Sequence, residues 1–244
     1  MTDTLPLPRE VVSFVRRGSR MTSSQRQWLD RFGPHYLVEV ERTSRVTAIP
    51  PQAPLDLAAT FGRRAPLVVE LGGGHGETIS HAAARHPDVD YLGFEVFEAA
   101  LASTVGKLAA AGLTNVRLIA GDGVDGLTHL LTPASVQEIW AFFPDPWHKS
   151  RHHKRRLVSP GFAALAADRL VPGGVLRLAT DWADYAEWMA GVLADCPAFE
   201  RQDSGRFPDR PLTKYEERGL RQGRSIHDLT YRRRPTPPRE PGRP

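Results

Sequence analysis

The sequence is poor in cysteine: Cys196 stands alone among 244 residues. A disulfide framework and a cysteine-rich zinc site are therefore both excluded. It also lacks long apolar runs. None approaches the roughly 18–20 residues needed to cross a bilayer. The stretch Met1 to Arg9 has no apolar core followed by a small-residue cleavage site. A reducing, cytoplasmic setting with no membrane partner is the expectation. No internal repeat is visible. What remains is an ordinary globular composition, 41% hydrophobic and 25% charged. That is enough apolar material for a sizeable core, and it excludes a wholly disordered chain.

The net charge of +4 is modest, but its placement is uneven. Residues 9–31 hold Arg9, Arg16, Arg17, Arg20, Arg26 and Arg31 against only Glu10 and Asp30. A second cluster, Lys149-Ser150-Arg151-His152-His153-Lys154-Arg155-Arg156, contains no acid. A third runs from Arg232 to Pro244 and is rich in Arg and Pro. One such cluster reads as a solvated face or a disordered tail. Three of them favour a polyanionic partner, because phosphate neutralisation releases counterions.

Residues 1–60 are polar, with Pro50, Pro51 and Pro54 marking a loop before the core, and read as a basic extension. From about residue 61 to 234, short apolar runs alternate with helical stretches. Predicted strands are Leu67 to Leu71, Tyr91 to Glu95, Val116 to Ala120, Val136 to Phe143 and Val175 to Ala179. Two more are expected near Phe199 and from Ile226 to Arg232. Helices are expected over residues 77–85, 97–111, 161–170 and 182–193. Residues 235–244 read as a disordered tail. This alternation predicts a doubly wound α/β domain with a mostly parallel sheet of about seven strands. Ligands of such sheets sit beyond the carboxyl ends of the strands. That rule collects Glu70, the glycine turn 72–76, Glu95, Asp122, residues 143–147 and Thr180-Asp181 on one rim.

Gly72, Gly74 and Gly76 provide positions that tolerate positive φ and close ligand approach. The dinucleotide fingerprint would need a further glycine where Glu77 stands, and no Walker Lys-Ser/Thr pair follows, so a pyrophosphate cradle is disfavoured. Three acids follow successive strands. Glu95 lies at the spacing suited to ribose hydroxyls. Asp122 can accept from an adenine amino group, and Glu70 ends the first strand. A cofactor with an amine, a ribose and an adenine but no pyrophosphate fits this set, and S-adenosyl-L-methionine is such a molecule.

The segment Phe143-Pro144-Asp145-Pro146-Trp147-His148-Lys149 brackets a carboxylate with two prolines that stiffen the turn. Aromatic faces, an acceptor and a nearby cation suit a flat heterocycle. The basic run follows at once, so base-reading and phosphate-binding groups are adjacent in the chain. His148, His152 and His153 have no acid or cysteine at ligand spacing, and no metal is expected. Cys196 reads as a small apolar residue, and Trp182 and Trp188 as core or helix-face residues.

These residues resemble the signature of the tRNA (guanine-N7-)-methyltransferase family, a Rossmann-like class I methyltransferase group. The resemblance rests on residues 143–149, Arg151 and Lys154-Arg155-Arg156, and on Thr213-Lys214-Tyr215-Glu216-Glu217-Arg218-Gly219. Thr180-Asp181 with Tyr185 adds to it, as do Ser13-Phe14-Val15-Arg16-Arg17 and Arg20-Met21-Thr22. It runs from about residue 13 to 231. It implies methylation of guanine N7 at tRNA position 46, in the variable loop, with S-adenosyl-L-methionine as donor. By matching position, Glu70, Gly72, Gly74, Gly76, Glu95 and Asp122 would bind the donor. Asp145 would be the active-site acid, touching both donor and guanine. Lys149, Asp181, Thr213, Lys214, Tyr215 and Glu216 would contact the substrate. Arg151, His152, His153, Lys154, Arg155 and Arg156 would track the RNA. Tyr215 stands where the family often has Phe. No obligate protein partner is implied.

Two other readings use the same residues. One keeps the donor and changes the acceptor, and the other is a silent RNA-binding module on the same scaffold. The basic run disfavours a small acceptor, and intact Glu95, Asp122 and Asp145 disfavour the silent module.

Overall fold

The computed structural model describes residues 13, 20–42 and 47–235, with the backbone alone at Lys214. The segment 14–17, the early arginines Arg9, Arg16 and Arg17, the tail 236–244 and the Lys214 side chain lie outside the described residues. Seven strands form one sheet: β1 (Leu67–Leu71), β2 (Asp90–Glu95), β3 (Val116–Ala120), β4 (Val136–Phe142), β5 (Leu170–Thr180), β6 (Phe199–Gln202) and β7 (His227–Arg233). Their spatial order is β3-β2-β1-β4-β5-β7-β6. The first five pair in parallel, and β7 runs antiparallel to both β5 and β6. The doubly wound, mostly parallel architecture expected from the sequence is the one observed.

β1 is buried along its whole length because both faces of the sheet are covered. Alternate residues serve opposite faces. Val69, Leu92, Ile119 and Ile139 join one core with Phe162, Tyr185 and Met189. Val68, Tyr91, Leu118 and Trp140 join the other with Ile79, Leu101 and Val105. The helices that supply these residues are α3 (Glu77–Arg85) and α4 (Glu98–Ala110) on one side, and α6 (Pro160–Arg169) and α7 (Ala183–Ala194) on the other. Each such side chain contributes roughly 1.5–3 kcal/mol on burial.

Several elements were not evident from the sequence. α1 (Ser23–Tyr36) opens with a capping box in which Thr22 and Gln25 satisfy each other's backbone N–H groups. Gln25 Nε2 also donates to Ala99 O at 2.9 Å and Ser103 Oγ at 3.0 Å, tying α1 to α4. A side chain at Gly106 would strike the Trp28 ring at 2.6 Å, so glycine lets the two helices close. α2 (Leu57–Phe61), α5 (Gly123–His129) and α8 (Lys214–Arg221) are the other additions, with a 3-10 turn at Ser150–Arg155. β5 starts at Leu170 rather than Val175. Leu170 pairs with Val136, and a bulge takes up Pro172-Gly173-Gly174 before Val175 pairs with Glu138.

Candidate active site at the carboxyl rim

The β1–α3 turn places Gly72, Gly74 and Gly76 at φ of 70°, 55° and 73°. These are left-handed conformations that side chains disfavour. Gly76 caps α3 against Thr104, where a Cβ would meet Thr104 Cγ2 at 2.4 Å. Glu95 holds the turn from the end of β2. Its Oε2 accepts from Gly74 N and its Oε1 from Phe97 N, both at 2.8 Å. Burial raises the Glu95 carboxyl, and these N–H donors oppose the rise. Glu70 is 3% exposed. Its carboxyl is pushed up to about 8, chiefly by burial and then by the neighbouring Glu95 and Glu77 charges. Among the described residues, Glu70 Oε2 has no hydrogen-bond partner. Asp122 caps α5, its Oδ1 accepting from Val124 N at 2.7 Å and Asp125 N at 3.2 Å.

One cleft of about 230 Å³ joins these groups to the loop after β4. Glu70, Gly72, Gly74, Glu95 and Asp122 line it. Phe143, Pro144 and Asp145 line it too, with Thr213 and Tyr215. The cleft thus unites most of the residues expected to bind donor and acceptor. Ser13 and Phe97 also line it and were not anticipated.

The Pro-Asp-Pro turn is more constrained than two prolines alone require. Phe143 and Trp147, which bracket it, both lie in the left-handed region, at φ of 53° and 46°. Such residues cost on the order of 1–3 kcal/mol each and persist only where their surroundings hold them. Trp147 Nε1 donates to Ser13 O at 2.9 Å, and the Arg155 guanidinium lies 3.6 Å from the Trp147 ring centroid. Phe143 N donates to Ala179 O at 2.8 Å, anchoring the start of the loop to β5.

The basic run divides by its surroundings. Lys149, Arg151 and Lys154 are exposed, and His152 and Arg155 are half-buried. Desolvation holds the His152 imidazole below its usual range, and the surrounding cations Arg151, Arg155, Lys149 and Lys154 push the same way. His153 packs edge-on against Trp188, with ring centroids 5.9 Å apart. Arg156 departs from the sequence expectation: it is 4% exposed and bonded to Pro146 O and Asp184, so phosphate has no access to it.

The second motif also divides. Thr213 caps α8, its hydroxyl accepting from Glu216 N at 3.2 Å. Tyr215 is 49% exposed beside the glycine turn. Glu216, expected to contact substrate, is instead buried against Arg206 Nη2 at 3.0 Å and Arg210 Nη1 at 2.6 Å. Arg210 is 0% exposed and reaches on to Asp228 at 2.8 Å. Its guanidinium lies 5.2 Å from the Phe143 ring, so α8, β7 and the Pro-Asp-Pro loop share one buried cation. Asp181 follows β5 outside the cleft wall and accepts from Arg224 Nη1 at 2.8 Å. Arg206, Arg210 and Arg224 carry no motif signal and were not anticipated. Among the described residues, no group of three His, Cys, Asp or Glu side chains is placed to hold a metal.

Comparison with known proteins agrees with this arrangement. A family profile described as "Putative methyltransferase" matches residues 64–229. A tRNA (guanine-N(7)-)-methyltransferase of Cutibacterium acnes is 50% identical over 231 residues, covering 92% of this chain and 84% of that protein. One from Methylococcus capsulatus is 45% identical over 241 residues, covering 96% of this chain and 100% of its own. Among solved structures, the 16S rRNA methyltransferase KamB aligns with a TM-score of 0.53 at 19% identity, over 78% of this chain and 99% of that one. That likeness concerns the fold alone. The matched family span runs from before the glycine turn to beyond the Pro-Asp-Pro loop, and the chain belongs to the tRNA (guanine-N(7)-)-methyltransferase family.

Proposed function

We propose that this protein transfers a methyl group from S-adenosyl-L-methionine to N7 of a guanine in tRNA, the guanine at position 46 of the variable loop. The observation that carries the reading is the one cleft lined by Gly72, Gly74, Glu95 and Asp122 together with Asp145. The names of the family relatives support the same acceptor.

The cleft fits the donor. Glu70 is a buried carboxyl with an unpartnered oxygen beside the glycine turn, suited to an ammonium group. Glu95 spends one acceptor position of each oxygen on backbone N–H groups, and a carboxylate offers about four, leaving capacity for ribose hydroxyls. Asp122 takes the adenine amino group. When bound, the donor supplies an electrophilic methyl carried by a sulfonium.

Guanine N7 carries a lone pair and no proton, so no residue has to remove a proton before the new bond forms. The protein's contribution is placement. Asp145 accepts hydrogen bonds from the guanine N1–H or amino group and stabilises charge developing on the ring. Tyr215 offers an exposed ring at the mouth of the cleft. Lys149, Arg151, Lys154 and Arg155 hold the RNA backbone, with His152 beside them. We read residues 61–234 as the methyltransferase domain and residues 1–60 as a basic extension of the sequence. No helix among the described residues is long and apolar enough to cross a membrane, and we assign the activity to the cytoplasm, where tRNA is modified.

Incubation with methyl-labelled donor and bulk tRNA, followed by chemical cleavage at N7-methylguanine, tests the reading. Label at position 46, lost when that guanine is replaced by adenine, is expected. Label on another base, or on none, overturns it.

A further inference from the structure

Sequence places Arg155 and Arg156 together in one basic run, but the fold uses them differently. Arg155 is half-buried and lies over the Trp147 ring. Arg156 is turned inward. Its Nε donates to Pro146 O at 3.0 Å and its Nη2 bonds Asp184 at the start of α7. Its guanidinium carbon lies 5.0 Å from the Tyr185 ring centroid and 5.3 Å from that of Trp188. Both rings are themselves fastened to Val158: its N–H donates to Tyr185 Oη at 3.2 Å, and its carbonyl accepts from Trp188 Nε1 at 2.7 Å.

The carbonyl that Arg156 holds belongs to the peptide between Pro146 and Trp147. That peptide joins Asp145's neighbour to a residue at φ 46°, a conformation an aromatic side chain does not keep unaided. We propose that Arg156 is a positioning residue for methyl transfer. It fixes the orientation of the Pro146–Trp147 peptide and so holds the Asp145 carboxylate at the cleft, while Asp184 aims Arg156. This rests on the reading of Asp145 as the guanine-orienting acid. A planar guanidinium satisfies the carbonyl along one direction and the carboxylate along another, a geometry a lysine ammonium does not reproduce.

The test uses Arg156→Lys and Asp184→Asn in the full chain. Arg156→Lys is expected to lower kcat roughly 10- to 100-fold at saturating donor and tRNA. The KM for tRNA and the salt dependence of tRNA binding stay at wild-type values. Asp184→Asn shows a smaller loss in the same direction, and the double variant loses no more than Arg156→Lys alone. A crystal structure of Arg156→Lys is expected to show Trp147 outside the left-handed region. An unchanged kcat, a salt slope flattened by about one as for a lost phosphate contact, or a Trp147 φ and Asp145 position that remain as here would each overturn the proposal. If Arg156→Lys does not fold, Asp184→Asn decides by the same split between kcat and KM. If wild-type protein methylates no tRNA, the functional reading fails, and the Trp147 geometry in the variant still decides the positioning role.

Discussion

Replacing Glu70 by glutamine isolates a carboxyl on the cleft wall whose ionisation is opposed by its surroundings. Glu70 is buried at the end of β1, and its carboxyl titrates at about 8 instead of its ordinary 4.5. The folded protein therefore binds this proton more tightly than the unfolded chain does. Stability from the protonated carboxyl is fully present below about pH 4.5 and is lost as pH rises through about 8. Between pH 6 and pH 8 the loss amounts to about 2 kcal/mol, the slope approaching 1.4 kcal/mol per pH unit at the lower end. Glutamine keeps the shape and cannot ionise. It leaves a polar atom unpartnered much as Glu70 Oε2 is now, so its own cost is a constant offset. Urea denaturation of wild type and Glu70→Gln, without donor and at several pH values from 5.5 to 8.5, measures the effect. Other titrating groups are common to both proteins and cancel in the difference. The expected result is a wild-type curve that falls relative to the variant by about 2 kcal/mol across the two middle pH units. Parallel curves would refute the reasoning, because they would mean that Glu70 ionises in the folded state as easily as in water.

Four further outcomes are expected. Asp145→Asn lowers kcat by roughly 10²–10³-fold while tRNA affinity is retained; a slope-of-one rise in the wild-type pH–rate profile that this substitution abolishes would instead indicate proton transfer. Arg151→Ala and Lys154→Ala, at exposed cations of the 3-10 turn, each reduce the slope of log affinity against log salt by about one in filter-binding titrations. Gly76→Ala combines a φ of 73° with a Cβ 2.4 Å from Thr104 Cγ2, and costs about 1–3 kcal/mol in chemical denaturation. Arg210→Met removes the buried cation shared by Glu216 and Asp228, leaves Glu216 only Arg206, and costs about 3–5 kcal/mol, read as a lowered Tm.

The sheet was legible because its central strands are short, mostly apolar runs, as Leu67–Leu71, buried throughout, and the Ile139–Ala141 part of Val136–Phe142 show. The acids at the strand ends were legible for the same reason, since the topology sends every one of those ends to a single rim. α1 was missed although Thr22 and Gln25 carry its capping signal, because a mostly polar run with Pro34 inside offers little apolar period. The roles within the basic run were not legible at all. Charge marks all of 149–156 alike, and only the approach of Asp184 and two aromatic rings, 28 to 32 residues further on, separates Arg156 from its neighbours. The same holds for Glu216: its motif pointed to substrate, and Arg206 and Arg210, in a stretch without periodicity, claimed it for the interior. Left-handed Phe143 and Trp147 run against local preference, so propensity could not foresee them.

The reversed seventh strand has a consequence for how this scaffold diversifies. β6 and β7 are sheet neighbours, and the chain between them, residues 203–226, leaves the sheet and returns to it beside its starting point. Thr213 and Tyr215 ride on that excursion, whereas Glu70, Glu95 and Asp122 are built into parallel crossovers. Lengthening a hairpin excursion costs little, because closure entropy grows only with the logarithm of its length. Altering a crossover disturbs the packing of both layers. Under the proposed function, acceptor contacts at Thr213 and Tyr215 can therefore change with the length of this excursion, while the crossovers that carry Glu70, Glu95 and Asp122 stay as they are.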